Sequence, residues 1–257
     1  MYRDKKFSVK PWELVEADLR EAARAGPVSD KLFLCDGDAL ILGMRRLMKI
    51  LEGIRKHLPW VRRVGSYGDT RSVGPKSVED LRELSDAGLK IIYHGMESGD
   101  PEVLTRIDKG GTVPEIEAMG PKLAEAGMLH SVIILLGIGG ESLSSTHATH
   151  TAKLLSKIDP PFVGALTTTV VPGTPLHSMQ QRGDFRLPGK FQMLEELRTI
   201  VAESDFSKCR FSSNHASNYL PIRSILPRDK QEILGIIDGV LARRNESDLK
   251  PEFLRGL

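Results

Sequence analysis

Cysteine is scarce in this sequence, which has only Cys35 and Cys209 among its 257 residues. A disulfide framework needs several cysteines, and a four-ligand metal site cannot be built from two thiols alone. The sequence therefore predicts a reduced, cytoplasmic protein with two structural thiols and no metal ligands in this chain.

Long apolar runs and a large charge excess are absent as well. The longest apolar runs, such as residues 132–136, are far too short to cross a bilayer, and no secretion signal opens the chain. The formal net charge is +2, which favours neither nucleic-acid binding nor an acidic partner. We therefore expect no membrane partner and no specific nucleic-acid partner.

Several familiar catalytic patterns are missing too. The sequence has no phosphate-binding loop that ends in Gly-Lys-Ser/Thr, and no nucleophile elbow with flanking glycines. His147 and His150 lie three residues apart in one predicted helix, but without the glutamate of the zinc-protease motif. We expect them to have packing or solvent-facing roles.

Helical and strand-like segments alternate over most of the chain, which is typical of parallel βαβ units. Because the first helix has no strand before it, we expect an α/β fold, a partial (β/α)6 TIM-like barrel of parallel strands whose first strand is missing. The predicted strands are residues 31–35, 61–67, 89–93, 131–136 and 162–171, and the predicted helices are residues 11–25, 43–57, 77–87, 101–107, 113–126 and 142–157.

The last part of the chain has a different pattern. A helix is predicted over 191–202, a possible strand over 209–212, a helix from 227 to 243 and a loose polar tail over 245–257. We therefore divide the chain into a barrel, residues 1–190, and a C-terminal helical extension, residues 191–257, that packs on it.

Glycine stands beside an acid or a hydroxyl after each predicted strand. In parallel α/β folds the ligand lies at the carboxyl ends of the strands, where glycine allows close approach of the backbone. Acids and hydroxyls can then bind amino and sugar hydroxyl groups, although each segment alone is also compatible with an ordinary turn. These segments are residues 35–39, 66–69, 95–99, 137–141 and 171–175.

One of these segments invites a dinucleotide-binding interpretation. Residues 137–142 read Gly-Ile-Gly-Gly-Glu-Ser after a predicted strand and before a helix. The last position is not glycine or alanine, and no acid follows at the end of the next strand. An NAD-dependent oxidoreductase is therefore a lesser alternative.

Taken in order, the strand-end segments resemble those of radical S-adenosylmethionine (radical SAM) enzymes over about residues 1–220. Residues 93–104, with Lys109-Gly110 after them, are similar to the fourth-strand segment of that family. Residues 136–141 resemble the segment that holds adenine, and residues 172–176 resemble the segment after the sixth strand. Asp36-Gly37-Asp38 stands where the family has a motif that receives the methionine amino group.

The resemblance implies two cofactors, S-adenosylmethionine and a 4Fe–4S cluster held by a Cys-x-x-x-Cys-x-x-Cys loop. That loop is absent, and Met1–Phe7 looks like the stretch that follows it. We expect a chain truncated after the loop, whose full-length form generates a 5′-deoxyadenosyl radical for an unknown substrate with an electron donor such as flavodoxin or ferredoxin. The alternative is a cluster-less barrel that binds a nucleotide-like ligand or a partner.

The resemblance also implies roles for particular residues. Asp36 and Asp38, around Gly37, would accept from the methionine ammonium, and Glu97 and Ser98 would meet the ribose or the methionyl carboxylate. Helix capping is the alternative role for Asp36, Asp38 and Ser98. The residues expected to flank adenine are Ile134, Gly137, Gly139, Val171, Pro172 and Gly173.

Substrate contacts are expected at the mouth of the barrel. Tyr67 and His94 point there by their positions next to predicted strand ends. The polar loop after residue 212 could line the substrate end of the barrel or satisfy its own backbone. Its candidates are Asn214, His215, Asn218 and Tyr219.

Overall fold

Seven strands form one sheet in the computed structural model, which describes residues 8–256. The stretch Met1–Phe7, for which the sequence suggested a position after a cluster loop, lies outside the described residues. The strands are β1 Lys31–Leu34, β2 Arg63–Tyr67, β3 Leu89–Glu97, β4 Leu129–Leu136, β5 Phe162–Thr167, β6 Cys209–Ser212 and β7 Arg223–Leu226.

The strands lie side by side in the order of the chain, from β1 to β7. The first six are parallel, and β7 runs antiparallel to β6. Among the described residues β1 and β7 do not pair, so the sheet stays open as a partial barrel. The predicted α/β fold with parallel strands is confirmed, with β7 as an addition that the sequence did not predict.

Ten α-helices and three short 3-10 helices cover the described chain between and after the strands. Most begin at a capping residue, and capping boxes start α3 at Asp69, α4 at Ser77 and α6 at Thr112. The helices are α1 Trp12–Ala25, α2 Met44–His57, α3 Thr70–Val73, α4 Val78–Asp86, α5 Pro101–Arg106, α6 Val113–Glu125, α7 Gly140–Ile158, α8 Pro175–Arg182, α9 Lys190–Glu203 and α10 Lys230–Arg243, with 3-10 turns at Ala39–Ile41, Glu246–Asp248 and Glu252–Leu254.

The two faces of the sheet have different surroundings. Alternate residues of each strand, such as Ile92 of β3 and Val132 of β4, are buried against the helices. The residues between them, such as Tyr93 and Ile133, face a cavity on the opposite, concave side. This alternation decides which side chains of a strand can reach a ligand inside the barrel.

The sequential strand order argues against the dinucleotide-binding alternative. Dinucleotide folds bind their ligand where the strand order reverses. The sheet of the described residues has no such reversal, because every strand neighbours its predecessor in the chain.

The segment beyond residue 190 continues the same sheet and core. Strand β6 pairs with β5, and α9 contributes Leu194 and Leu197 to the core cluster that also contains residues of β4. The division at residue 190 stays a prediction.

The polar end of the chain is not a loose tail, in contrast to the sequence prediction. Leu249 is buried in the core. The hydroxyl of Tyr219 donates to Glu252 Oε1 at 2.8 Å, and the Arg255 guanidinium lies 3.9 Å from the Tyr219 ring centre.

The described helices include none that is both long enough and apolar enough to cross a membrane.

Candidate functional site

The carboxyl ends of β1 to β5 meet at one edge of the sheet, because these strands are parallel and neighbours. Each glycine-containing segment singled out in the sequence lies at or just beyond this edge. We call it the carboxyl edge. It brings the backbone of the predicted cofactor-binding segments to one side of the molecule.

The aspartates that follow β1 have different surroundings. Asp36 is exposed and has a left-handed backbone with φ 67°, and Gly37 beside it has φ 100° with open space around it. Asp38 is half-buried, and its Oδ1 accepts from Leu40 N at 2.9 Å, which caps the first 3-10 turn. Burial raises the pKa of the Asp38 carboxyl. The carboxylate that stands open to a cationic ligand is therefore Asp36.

A cavity of about 380 Å³ lies beside these aspartates at the edge of the sheet that β1 forms within the described residues. Asp36 and Asp38 are among its polar lining residues, together with the exposed thiol of Cys35. Apolar side chains of α1, β1 and α2 form much of the wall, namely Val15, Leu19, Leu32, Leu34, Ile50 and Ile54.

An ion pair lies at the end of β3. Glu97 has φ 63° at a bulge in the pairing with β4, and its Oε1 accepts from Lys109 Nζ at 2.9 Å. A Cβ at Gly95 would lie 2.3 Å from that carboxylate oxygen and 3.2 Å from the ammonium nitrogen. Gly95 therefore leaves the space that the pair occupies, and both partners remain partly exposed at the carboxyl edge.

Ser98 and Gly99 are fixed to helix α7. Ser98 is fully buried, and its Oγ accepts from Asp100 N at 3.0 Å and lies 2.8 Å from His147 Nδ1. Gly99 N donates to Thr151 Oγ1 at 2.9 Å. The Ser98 side chain thus holds the backbone of Asp100, which is the residue that caps α5, and only the Ser98 backbone borders the edge.

The loop after β4 is held by a glutamate that sequence reasoning missed. Gly137 N donates to Glu196 Oε2 at 2.6 Å, and Ser144 Oγ donates to Glu196 Oε1 at 2.6 Å. Gly137 has φ 83°, and a Cβ there would lie 2.9 Å from Met193 Cε. Burial raises the pKa of Glu196 to about 7. The sequence did contain a signal for this buried glutamate, because the charged Glu196 interrupts the apolar face of α9.

His147 belongs to the same buried network. Its Nε2 lies 3.9 Å from Glu196 Oε2 and has no hydrogen-bond partner in the described structure. Burial lowers the pKa of His147 to about 4. Burial thus favours the neutral forms of both His147 and Glu196, and the predicted packing role of His147 agrees with its position.

The predicted adenine-flanking residues are only partly at the edge. Val171, Pro172 and Gly173 are exposed, and Gly139 is the first residue before α7. The Ile134 side chain is fully buried on the helix side of the sheet, so only the Ile134 backbone is left for the predicted contact with adenine, which stays a prediction.

Of the two residues expected to point to the mouth, one does not. Tyr67 is 48% exposed at the end of β2 and packs edge-on against Phe33. His94 lies on the helix side of β3, where its Nδ1 is 3.2 Å from His130 Nε2. The predicted orientation of His94 is wrong because Tyr93, one residue earlier, takes the concave face.

The polar side chains of the loop after β6 also differ in their positions, because some bind the protein itself and one lines the concave cavity. Asn218 is buried, accepts from Thr167 Oγ1 and donates to Ala165 O, both at 2.8 Å. Tyr219 anchors the C-terminal segment, and His215 Nδ1 lies 2.9 Å from Ser217 Oγ. Only Asn214 among the predicted substrate residues of this loop lines the concave cavity.

The concave cavity, of about 630 Å³, is formed by the inner face of β2 to β7. None of the predicted cofactor-binding residues lines it. Its apolar part includes Ile91, Tyr93, Ile133, Phe162 and Ile225, and its charged part consists of Arg63, Arg210, Arg223, Arg228 and Asp229.

The described residues do not fit a 4Fe–4S cluster. Such a cluster is held by cysteine thiolates, and no group of three or more metal-binding side chains occurs between residues 8 and 256. Cys35 is exposed after the end of β1, whereas Cys209 is buried at the start of β6. Four strands, β2 to β5, therefore stand between the two thiols in the sheet.

Comparison with known proteins gives one family and several similar folds. The family model described as the radical SAM superfamily matches residues 2–151. No curated protein matches the chain. Similar solved structures include the archaeal Methanocaldococcus infernus Elp3 with an N-terminal deletion, at 14% identity and a TM-score of 0.57, over 91% of this chain and 59% of that one.

Two further structures have the same fold at low identity. Coproporphyrinogen III oxidase (HemN) from Escherichia coli, a radical SAM enzyme, has a TM-score of 0.59 at 15% identity, over 74% of this chain and 44% of that one. The methyltransferase TsrM from Kitasatospora setae, with cobalamin and a 4Fe–4S cluster bound, has a TM-score of 0.52 at 20% identity, over 70% of this chain and 36% of that one. This chain thus spans between 36% and 59% of the length of these three structures.

Proposed function

This chain belongs to the radical SAM superfamily, and we propose that it binds S-adenosylmethionine along the carboxyl edge of β1 to β5. The family model covers residues 2–151, which is more than half of the chain. The similar folds include radical SAM proteins such as HemN.

The observation that carries the proposal is the open carboxylate of Asp36 on the same edge as the glycine loop after β4. A carboxylate–ammonium hydrogen bond is charge-assisted, which suits the methionyl amino group. The Asp38 carboxylate is not free for the ligand, because it caps the 3-10 turn that follows. Its role is to hold the loop that carries Asp36.

The rest of the ligand would extend along the edge. Glu97, held by Lys109, is the acceptor proposed for the ribose hydroxyls. The backbone of Gly137 and Gly139 and the exposed segment Val171–Gly173 would flank the adenine, where backbone contacts and apolar packing suffice.

Radical formation needs a group for which the described residues provide no site. S-adenosylmethionine supplies a 5′-deoxyadenosyl radical when a 4Fe–4S cluster reduces it, and the two separated thiols of this chain do not fit that cluster. We therefore assign to these residues the binding and orientation of S-adenosylmethionine. Radical chemistry on a substrate, with flavodoxin or ferredoxin as electron donor, is proposed for a form that carries cluster ligands.

The scarcity of cysteine favours a second candidate function. A cluster-less barrel would bind a nucleotide-like ligand at the same edge without radical chemistry. The two functions share the ligand site and differ in redox behaviour, so the first experiment addresses the site itself.

The test is isothermal titration calorimetry of the chain with S-adenosylmethionine. Asp36→Asn keeps a residue that tolerates the left-handed backbone and removes the charge. We expect it to weaken binding about tenfold or more, the size expected for a lost charge-assisted hydrogen bond. Methylthioadenosine, which lacks the amino acid part, should bind both forms equally.

The matched control is Asp86→Asn, which removes an exposed carboxylate at the end of α4. It should leave both ligands unaffected. Equal affinity of the wild type and Asp36→Asn for S-adenosylmethionine would contradict the assignment of Asp36. Tighter binding of NAD than of S-adenosylmethionine would contradict the proposed ligand class.

A further inference from the structure

We propose that the concave cavity binds an organic anion, with an apolar body and carboxylate or phosphate groups, through Arg210 and Arg223. This ligand is additional to the S-adenosylmethionine proposed above, because none of the residues proposed for S-adenosylmethionine lines the cavity. The cavity has about 630 Å³, which lies within the range of about 300–1,000 Å³ that is usual for small-molecule sites.

The apolar half of the site lies on the central strands. Ile91 and Tyr93 of β3, Ile133 of β4 and Phe162 of β5 all line the cavity from the concave face. Such a floor favours a hydrocarbon or aromatic body, because burying apolar surface is favourable without directional partners.

The charged half is strongly positive. The lining contains four arginines and one carboxylate, that of Asp229. Asp229 is already used, because its Oδ1 and Oδ2 accept from Arg228 Nε at 2.6 Å and Nη2 at 2.9 Å. Within residues 8–256, Arg63, Arg210 and Arg223 form no ion pair.

Two of these arginines, both exposed, lie close together on the sheet. Arg210 stands opposite Ile225 in the ladder between β6 and β7, and Arg223 stands opposite Ser212. The two arginines are therefore diagonal neighbours on one face, about 7–8 Å apart at the backbone. Like charges at that spacing repel, and an oxyanion between them would turn the repulsion into two charge-assisted hydrogen bonds.

A neutral side chain orients one of them. With its amide oxygen turned towards the guanidinium, Asn214 accepts from Arg223 Nε at 2.8 Å and from Nη2 at 2.7 Å. This contact fixes the direction of the Arg223 side chain without neutralising its charge. The remaining nitrogen, Nη1, stays available to a ligand.

The arginine pair lies outside the part of the chain that the family model matches. Residues 209–229 follow the matched span of 2–151, and none of the residues proposed for S-adenosylmethionine lines the cavity. The cofactor edge and the anion site are thus built from different residues of one sheet. The two ligands can be measured independently for that reason.

The test uses the whole chain and terephthalate, an aromatic dicarboxylate, with benzenedimethanol as its uncharged diol analogue. Calorimetry should show that terephthalate binds and that the diol binds at least about tenfold more weakly. Arg210→Gln and Arg223→Gln should each weaken terephthalate binding about tenfold. Arg55→Gln, which changes an exposed arginine on α2, should not.

The same variants are titrated with S-adenosylmethionine, and circular dichroism confirms that they fold. Unchanged S-adenosylmethionine binding beside lost terephthalate binding supports the inference. If terephthalate binds wild type and both variants equally, or no better than the diol, the inference is overturned whatever S-adenosylmethionine does. Lost S-adenosylmethionine binding in the wild type, with terephthalate binding intact, overturns only the proposed function.

Two further probes test the class of anion. Inorganic phosphate should bind more weakly than terephthalate, because it leaves the apolar floor unused. A single-stranded oligonucleotide should not compete with terephthalate. Equal affinity for phosphate, or displacement by the oligonucleotide, would overturn the assignment to a small organic anion.

Discussion

A single buried carboxyl, that of Glu196, connects two helices and a loop at the carboxyl edge. It accepts from the backbone of Gly137 and from Ser144, and His147 lies close to it. Because burial raises the pKa of Glu196 to about 7 from 4.5, the folded state holds this proton over a range where the unfolded chain has lost it. Protonated Glu196 therefore stabilises the fold, and that contribution is lost as the pH rises from about 4.5 to 7.

Glu196→Gln tests this point. Glutamine keeps an acceptor for Gly137 N and a donor towards Ser144, but it does not titrate. The free energy of unfolding of the variant, relative to the wild type, should rise by about 3 kcal/mol between pH 4.5 and 7.5. Urea unfolding at several pH values measures it, and contributions of the histidines that lie away from Glu196 cancel in the difference.

Glu203→Gln, at the exposed end of the same helix, is the matched control and should show no such trend. A difference between Glu196→Gln and the wild type that does not vary with pH would mean that Glu196 is ionised in the folded protein.

At the scale of the element, the loop between β4 and α7 depends on glycine for two separate reasons. Gly137 has a left-handed backbone and also leaves room for Met193. Gly173, in the segment after β5, has φ 79°, but a Cβ at this position would have no heavy atom within 4 Å beyond its chain neighbours. The two glycines therefore differ in packing while they share a left-handed backbone that would strain any residue with a side chain.

Alanine substitutions at Gly137 and at Gly173 should separate the cost of the left-handed backbone from the cost of the contact with Met193. Gly173→Ala should lower the free energy of unfolding by about 1–2 kcal/mol, the penalty for a left-handed residue with a side chain. Gly137→Ala should cost more, because its Cβ also meets Met193 Cε. Urea midpoints measure both losses, and equal losses would show that Met193 moves aside without cost.

The elements themselves were largely predictable from the sequence, but their ends and faces were not. Strands β1 and β6 were predicted within one residue, because each is bounded by a clear change of pattern. Strand β3 continues four residues beyond the predicted end, since its pairing with β4 extends through a bulge to Glu97. Strand β7 was missed because its four residues show no apolar alternation.

The site was predictable at the level of the backbone only. The sequence correctly predicted that the glycine-containing loops lie on one edge, and the ligand site at that edge stays a prediction. The sequence could not decide which neighbour faces inward, because a shift of one residue turns a side chain to the other face. His94 and Ile134 were therefore assigned to the ligand, whereas Tyr93 and Ile133 face the cavity.

At the scale of the whole molecule, the C-terminal segment after α10 packs on the loop that follows β6. Lys250 N donates to Tyr219 O at 2.8 Å, and Arg255 Nε donates to Ser217 O at 2.7 Å. Leu249, next to the first of these contacts, is 5% exposed. The segment thus stabilises the same loop that carries Asn214.

Leu249→Ala should therefore lower the free energy of unfolding by about 2 kcal/mol or more, since it removes a buried side chain from the core. Leu254→Ala is the matched control, because that side chain is 60% exposed and should contribute almost nothing. Urea unfolding of the two variants makes the comparison. Equal stability of both variants would mean that the segment is not docked in solution.

The order of the strands has a consequence for how such a chain is made. Each strand pairs with the one synthesised just before it, so every pairing can form on the ribosome without waiting for a distant segment. The last two strands, which carry Arg210 and Arg223, are therefore synthesised after all the strands whose carboxyl ends form the proposed cofactor edge.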